Sequence, residues 1–126
     1  MYKNIILIFI TSLLFVSCNG QTPNNLQLLS SSQYEQAIAK NNVTIIDVRT
    51  PSEYQEGHIE NAQNINVQSA DFKSKMENFD KTKPVYIYCR SGARSAKAAR
   101  IMEEMGFTEI YDLNGGILSW KGVLKK

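Results

Sequence analysis

Short apolar runs alternate with stretches of helical spacing along this chain, and the two periods are easy to separate. Leu26–Leu29, Val43–Val48, Ile65–Val67, Val85–Tyr88 and Ile110–Leu113 are brief, and the second is almost entirely β-branched, as a strand buried on both faces requires. Between them lie helix signals. Ser30-Ser31-Ser32 offers N-caps for a helix over Gln33–Lys40, with Tyr34, Ala37 and Ile38 on one face. Thr50 caps and Pro51 opens a short helix that Gly57 ends. Phe72, Met76 and Phe79 give helical spacing to Ser69–Phe79. Ala98, Ile101, Met102 and Met105 stripe a longer helix over Ser95–Met105, and Gly106 suits the position after its end. Asn114-Gly115-Gly116 turns the chain into a last helical turn at Ile117–Trp120.

Strands alternating with helices over short loops predict an α/β fold: a mostly parallel five-stranded sheet with helices on both faces and right-handed crossovers. Ligands of such sheets bind beyond the carboxyl ends of the strands. Two strand ends carry chemistry here. One is Asp47-Val48-Arg49; the other is Cys89, which opens the loop Cys89-Arg90-Ser91-Gly92-Ala93-Arg94-Ser95.

Cys89 is the candidate nucleophile. Gly92 lets the loop curl, so that N–H groups from Arg90 to Ser95 face inward at a helix start, an arrangement that binds anions. Cysteines at helix N-termini or beside arginine titrate at roughly 3.5–7.5 rather than about 8.5, and the thiolate is the reactive form. Two such units correspond to about 2.7 kcal/mol. A helix N-terminus supplies ~0.3–1 kcal/mol when exposed and up to ~2 when partly buried. Loop N–H groups and Arg90 or Arg94 make up the difference. The expected sulfur lies at the floor of an open bowl. The bland alternative, an inert buried thiol, suits a residue inside a strand better than one entering a glycine-containing loop.

Composition narrows the function class. The chain has 126 residues, enough for one domain, and a formal net charge of +2 with both signs scattered. No basic block points to nucleic acid. The cysteines are Cys18 and Cys89. Cys18 follows a segment of different character: Lys3 at the start, an apolar Ile5–Val16 broken by Thr11 and Ser12, then Ser17. That run is shorter than the about 20 residues a membrane-spanning helix needs. It has the pattern of a secretory signal over residues 1–18. Phe15-Val16-Ser17-Cys18 resembles the lipobox of bacterial lipoproteins, with Phe15 where that family prefers Leu. The resemblance implies cleavage before Cys18, acylation of Cys18, a flexible tether over residues 19–25, and a membrane-anchored protein facing the periplasm. An ordinary cleaved signal and an uncleaved anchor stay open. With Cys18 acylated, Cys89 has no intramolecular disulfide partner.

The Cys89–Ser95 loop resembles the active-site loop of rhodanese-like sulfurtransferases. Ile46–Tyr54, Gly57–Ile65 and Leu113–Trp120 are similar to three further segments of that family, in the right order, so the resemblance covers about residues 26–123. Glu60-Asn61 departs from the family's frequent Pro-Gly at a turn. The resemblance implies transfer of a sulfane sulfur from a small anionic donor such as thiosulfate, through a Cys89 persulfide, to a thiol or cyanide-like acceptor or a protein, with no metal and no cofactor. It makes Cys89 catalytic and assigns Arg90, Ser91, Gly92, Ala93 and Arg94 to substrate binding. Asp47, Arg49 and Glu53 are supporting charges, and Arg94 either contacts substrate or braces the loop against Asp47 or Glu53. His58, the lone histidine, is expected to be structural, and Tyr86, Tyr88 and Trp120 to pack the core. Two rivals remain: a non-catalytic module of the same fold, and a cysteine phosphatase or arsenate reductase, although four residues between Cys89 and Arg94 are one fewer than phosphatase loops have.

Overall fold

The computed structural model describes residues 23–40 and 42–126. Residues 1–18, with Cys18 and the expected signal, and the start of the expected tether lie outside the described residues.

Five parallel strands form the sheet: β1 (Leu26–Leu29), β2 (Thr44–Asp47), β4 (Gln63–Asn64), β5 (Val85–Tyr88) and β6 (Ile110–Leu113), in the order β1-β6-β5-β2-β4. Two further strands, β3 (His58–Ile59) and β7 (Leu124–Lys125), pair antiparallel beside it. The helices are α1 (Ser31–Ile38), α2 (Pro51–Glu56), α3 (Phe72–Met76) and α4 (Ala93–Met105), with a 3₁₀ turn at Gly116–Ser119.

Alternation along the strands divides the interior into two cores. On β5, Val85 and Ile87 face one way, as does Cys89 just beyond, against Ala98, Ala99 and Met102 of α4 and Phe72 and Met76 of α3. Tyr86 and Tyr88 face the other way, toward Tyr34 of α1 and Trp120. Tyr88 is fully buried, whereas Tyr86 and Trp120 are partly covered. Tyr34 meets Tyr86 and Trp120 edge-on at centroid distances of 5.8 and 6.1 Å. Helices therefore cover both faces, as expected.

The element boundaries moved for local reasons. Ser30 is the N-cap of α1: its hydroxyl accepts from the Gln33 N–H while the Gln33 side chain accepts from the Ser30 N–H, so the helix starts at Ser31. Thr50 caps α2 through the Glu53 N–H, and Pro51 occupies the first turn. Gly92, at φ 123°, ends the loop two residues earlier than expected, and α4 starts at Ala93. Gly106 closes α4 in the left-handed conformation. The helix expected over Ser69–Phe79 shrinks to α3, whose cap residue Asp71 makes no side-chain cap bond. The strand expected at Ile65–Val67 is paired earlier, at Gln63–Asn64. Ile65 and Val67 nonetheless donate to Asp47 O and Val48 O. The β3–β7 pair was not foreseen, because two-residue strands carry no readable period.

The expected tether also ends sooner. Asn25 donates from its backbone to Glu103 and from its side chain to Phe107 O, and Ile110 N–H donates to Asn25 O. Pro23 is buried. Residues 23–25 are thus docked on the domain rather than free.

Candidate functional site

The loop after β5 is built on the ends of three elements. Cys89 continues the buried face of β5, and α4 begins at Ala93. The 3₁₀ turn grips the loop from the other side: Ile117 N–H donates to Cys89 O (2.9 Å) and Leu118 N–H to Arg90 O (3.2 Å). Arg90, Ser91 and Ala93 are exposed, and Gly92 and Arg94 are partly exposed. Ala93, Arg94 and Ser95 begin a helix, so their N–H groups have no acceptor within it.

The sulfur lies beneath this loop. Gly92 N–H donates to Cys89 Sγ at 3.0 Å, and it is the one backbone N–H of residues 90–95 that reaches the sulfur. Sγ contacts the Ser95 hydroxyl at 3.3 Å. Cys89 is 0% exposed, which corrects the expected open bowl. The reason is parity: Cys89 falls on the core side of the β5 alternation and packs into the α4 cluster.

The supporting charges form two pairs. Asp47 and Arg49 are both buried; Arg49 Nη2 donates to Asp47 Oδ2 at 2.6 Å and to Gly57 O at 2.7 Å, and the Arg49 N–H donates to Asp47 Oδ1. Despite the cost of burying the guanidinium, its bonds to Asp47 hold its pKa above the ordinary value. Arg94 donates through both guanidinium ends to Glu53, at 2.6 and 2.8 Å. Those bonds draw the Glu53 carboxyl down to about 2. Of the two roles left open for Arg94, this geometry is the bracing one, directed at Glu53 and not Asp47. His58 lies apart: its ring donates from Nδ1 to Tyr54 O (2.9 Å) and stacks on the Tyr54 ring at 3.7 Å.

Asp112 and the part played by the Ser95 hydroxyl escaped the sequence reading. Ser95 Oγ donates to Asp112 Oδ2 at 2.7 Å while touching Cys89 Sγ and, at 3.1 Å, Gly92 O. Asp112 is 2% exposed, and its Oδ1 has no partner. Burial pushes its carboxyl up to about 7, against the bonds from Ser95 and the Leu113 N–H. Asp112 was hidden inside the strand run Ile110–Leu113. The available signal was a carboxylate at a strand position whose parity faces the core. A cavity of about 520 Å³ lined by Ile38, Trp120 and Val123 includes none of residues 89–95 and is not part of this site.

A five-stranded parallel sheet with helices on both faces and a buried thiol in the loop after a central strand define the class of fold. The rhodanese-like domain family matches residues 30–122, and the chain belongs to that family. Thiosulfate sulfurtransferase GlpE of Coxiella burnetii is 39% identical over 84 residues, covering 67% of this chain and 77% of its own. The uncharacterized protein YqhL of Bacillus subtilis is 36% identical over 109 residues, covering 78% and 85%. The crystal structure of a rhodanese-like domain protein from Staphylococcus aureus superposes with a TM-score of 0.69 at 28% identity, covering 79% of this chain and 98% of the other.

Proposed function

We propose that this protein is a sulfurtransferase that carries sulfur as a Cys89 persulfide. The Cys89 thiolate attacks the outer sulfur of thiosulfate; the S–S bond of the donor breaks, and sulfite leaves with the electron pair. A thiol or cyanide then takes the outer sulfur and returns the thiolate, in two covalent steps with ping-pong kinetics. The observation that carries this reading is the Gly92 N–H aimed at Cys89 Sγ across the start of α4, where a sulfur anion is stabilised. Arg90, exposed beside the loop, attracts the anionic donor. Similarity to a relative named thiosulfate sulfurtransferase supports the same reaction.

The full burial of Cys89 favours a second reading, a binding module of the same fold. Phosphate chemistry is disfavoured because both ends of the Arg94 guanidinium are taken by Glu53. Mass spectrometry of the purified chain after thiosulfate separates these. Sulfur transfer adds one sulfur atom to Cys89, removed by cyanide and absent in Cys89→Ser. A native protein whose Cys89 takes up no sulfur and resists every thiol reagent is the binding module.

The Cys18 motif supports a lipid-anchored protein facing the periplasm. Fatty-acid labelling of the wild type that vanishes in Cys18→Ala is the expected result; equal labelling of both removes the anchor.

A further inference from the structure

Asp112 is a buried carboxyl that the sulfur chemistry above does not use, and it stands one hydroxyl away from the nucleophile. The geometry is set by the sheet. Ile87 pairs with Asp112 in the β5–β6 register, so Asp112 and Cys89 face the same side, with Ser95 of α4 between them. The contacts run from Sγ to Ser95 Oγ at 3.3 Å and from Oγ to Asp112 Oδ2 at 2.7 Å.

Ser95 has one proton to give and two lone pairs to accept with. With Asp112 ionised, that proton belongs to Oδ2, and Ser95 Oγ accepts from a Cys89 S–H. With Asp112 neutral, its O–H donates to Ser95 Oγ, and the Ser95 proton turns toward a Cys89 thiolate, joining the Gly92 N–H. Each arrangement holds two protons, one of them always on Ser95 Oγ, and one negative charge among the three groups. The state with both ends ionised puts two anions in a buried space, and none of the ion pairs among the described residues includes Asp112.

We infer that Cys89 and Asp112 share a single proton through the Ser95 hydroxyl, so that a negative charge on the sulfur and a proton on Asp112 occur together. In the exchange the S–H bond and the Ser95 O–H bond break, new O–H bonds form at Ser95 and Asp112, and the charge passes from carboxylate to sulfur. Because the sulfur is covered, this gives it an internal proton acceptor. On the sulfurtransferase reading, an anionic persulfide keeps Asp112 neutral. Asp112 is a positioning residue, acting through Ser95. The unpartnered Oδ1 and burial, which favour the neutral carboxyl at about 7, agree with this.

Gly92 O also accepts from Ser95 Oγ at 3.1 Å, and the Leu113 N–H bonds the Asp112 carboxyl. Tyr34 of α1 senses Asp112 from the opposite core, with its hydroxyl donated to Ile87 O. Asp47 of β2 is held by Arg49, and Tyr88 of β5 accepts from Ile59 N–H. Arg94 of α4 senses Cys89 but is tied to Glu53.

The test is an ultraviolet titration of the Cys89 thiolate in the full chain, with Cys89→Ser as the blank. Wild type is expected to form thiolate in two steps, because coupled groups titrate as a pair. Asp112→Asn, in which residue 112 cannot ionise, is expected to form it in one step and to hold several-fold more thiolate on the alkaline side. Superimposable curves overturn the inference. Infrared spectroscopy of the wild-type chain covers the case in which Asp112→Asn fails to fold. The carbonyl band of the neutral carboxyl should fade in two steps, the second at least a pH unit higher, about tenfold in proton affinity. It should fade in one step once Cys89 carries a neutral methylthio cap; a band indifferent to the cap overturns the inference. Neither readout requires sulfur transfer. A protein that titrates in two steps yet takes no sulfur from thiosulfate keeps the couple and loses the sulfurtransferase reading, and the reverse result does the opposite.

Discussion

Gly116 stands with its α-carbon against the carbonyl of Arg90: a β-carbon there would lie 2.3 Å from Arg90 O and 2.6 Å from Ser91 N, and the residue sits at φ 65°. This close approach lets the 3₁₀ turn clamp the loop that holds the sulfur. Gly116→Ala must therefore push the loop and strain its own backbone. The expected cost is at least ~1–3 kcal/mol. Denaturant unfolding measures it, and sulfur loading should fall more than stability does. A variant with wild-type loading shows that the clamp is dispensable.

Arg94 and Glu53 tie α4 to α2, and Glu53 titrates at about 2 in place of its ordinary 4.5. A carboxyl whose folded pKa is lowered stabilises the fold above its unfolded value. That contribution drains away as pH falls from about 4.5 to about 2. With both side chains about one-quarter exposed, solvent screening reduces it to ~1–2 kcal/mol. Glu53→Gln should lose that much near neutral pH and flatten the acid limb of the stability curve.

Asp112 acts in the opposite sense. Its folded pKa is raised from 3.8 to about 7, so the folded state binds more protons than the unfolded state between those values, and stability declines as pH rises through that window. The expected decline is a few kcal/mol, and Asp112→Asn should abolish it. Urea midpoints measured from acid to neutral pH provide the check; a slope unchanged by the substitution contradicts the assignment.

Asp47 neutralises the buried Arg49, which also holds Gly57 O. Asp47→Ala strands a guanidinium away from water, a loss of ~3–5 kcal/mol. Thermal unfolding should show a drop of that size, and Arg49→Met combined with Asp47→Ala should recover part of it.

Arg90 is exposed at the loop, and its side chain enters none of the ion pairs among the described residues. If it draws in an anionic donor, Arg90→Glu should lower kcat/KM for thiosulfate at low salt, and the deficit should shrink as salt is added. A deficit independent of ionic strength assigns Arg90 to loop shape instead.

Period and punctuation in the sequence determined a great deal here. The β-branched run at Val43–Val48, the caps Ser30 and Thr50, and the stripe through Ala98 and Met102 stated the parallel α/β architecture, and the Cys89–Ser95 loop marked where its candidate chemistry lies. Local backbone preferences decide such features, so they can be read residue by residue. The partners across the sheet could not be read. That Arg94 meets Glu53 rather than Asp47, that Cys89 is covered, and that Ser95 links it to Asp112 all depend on strand order and register. Those are set by how the two cores pack around the whole sheet, which brings together residues that no local rule relates.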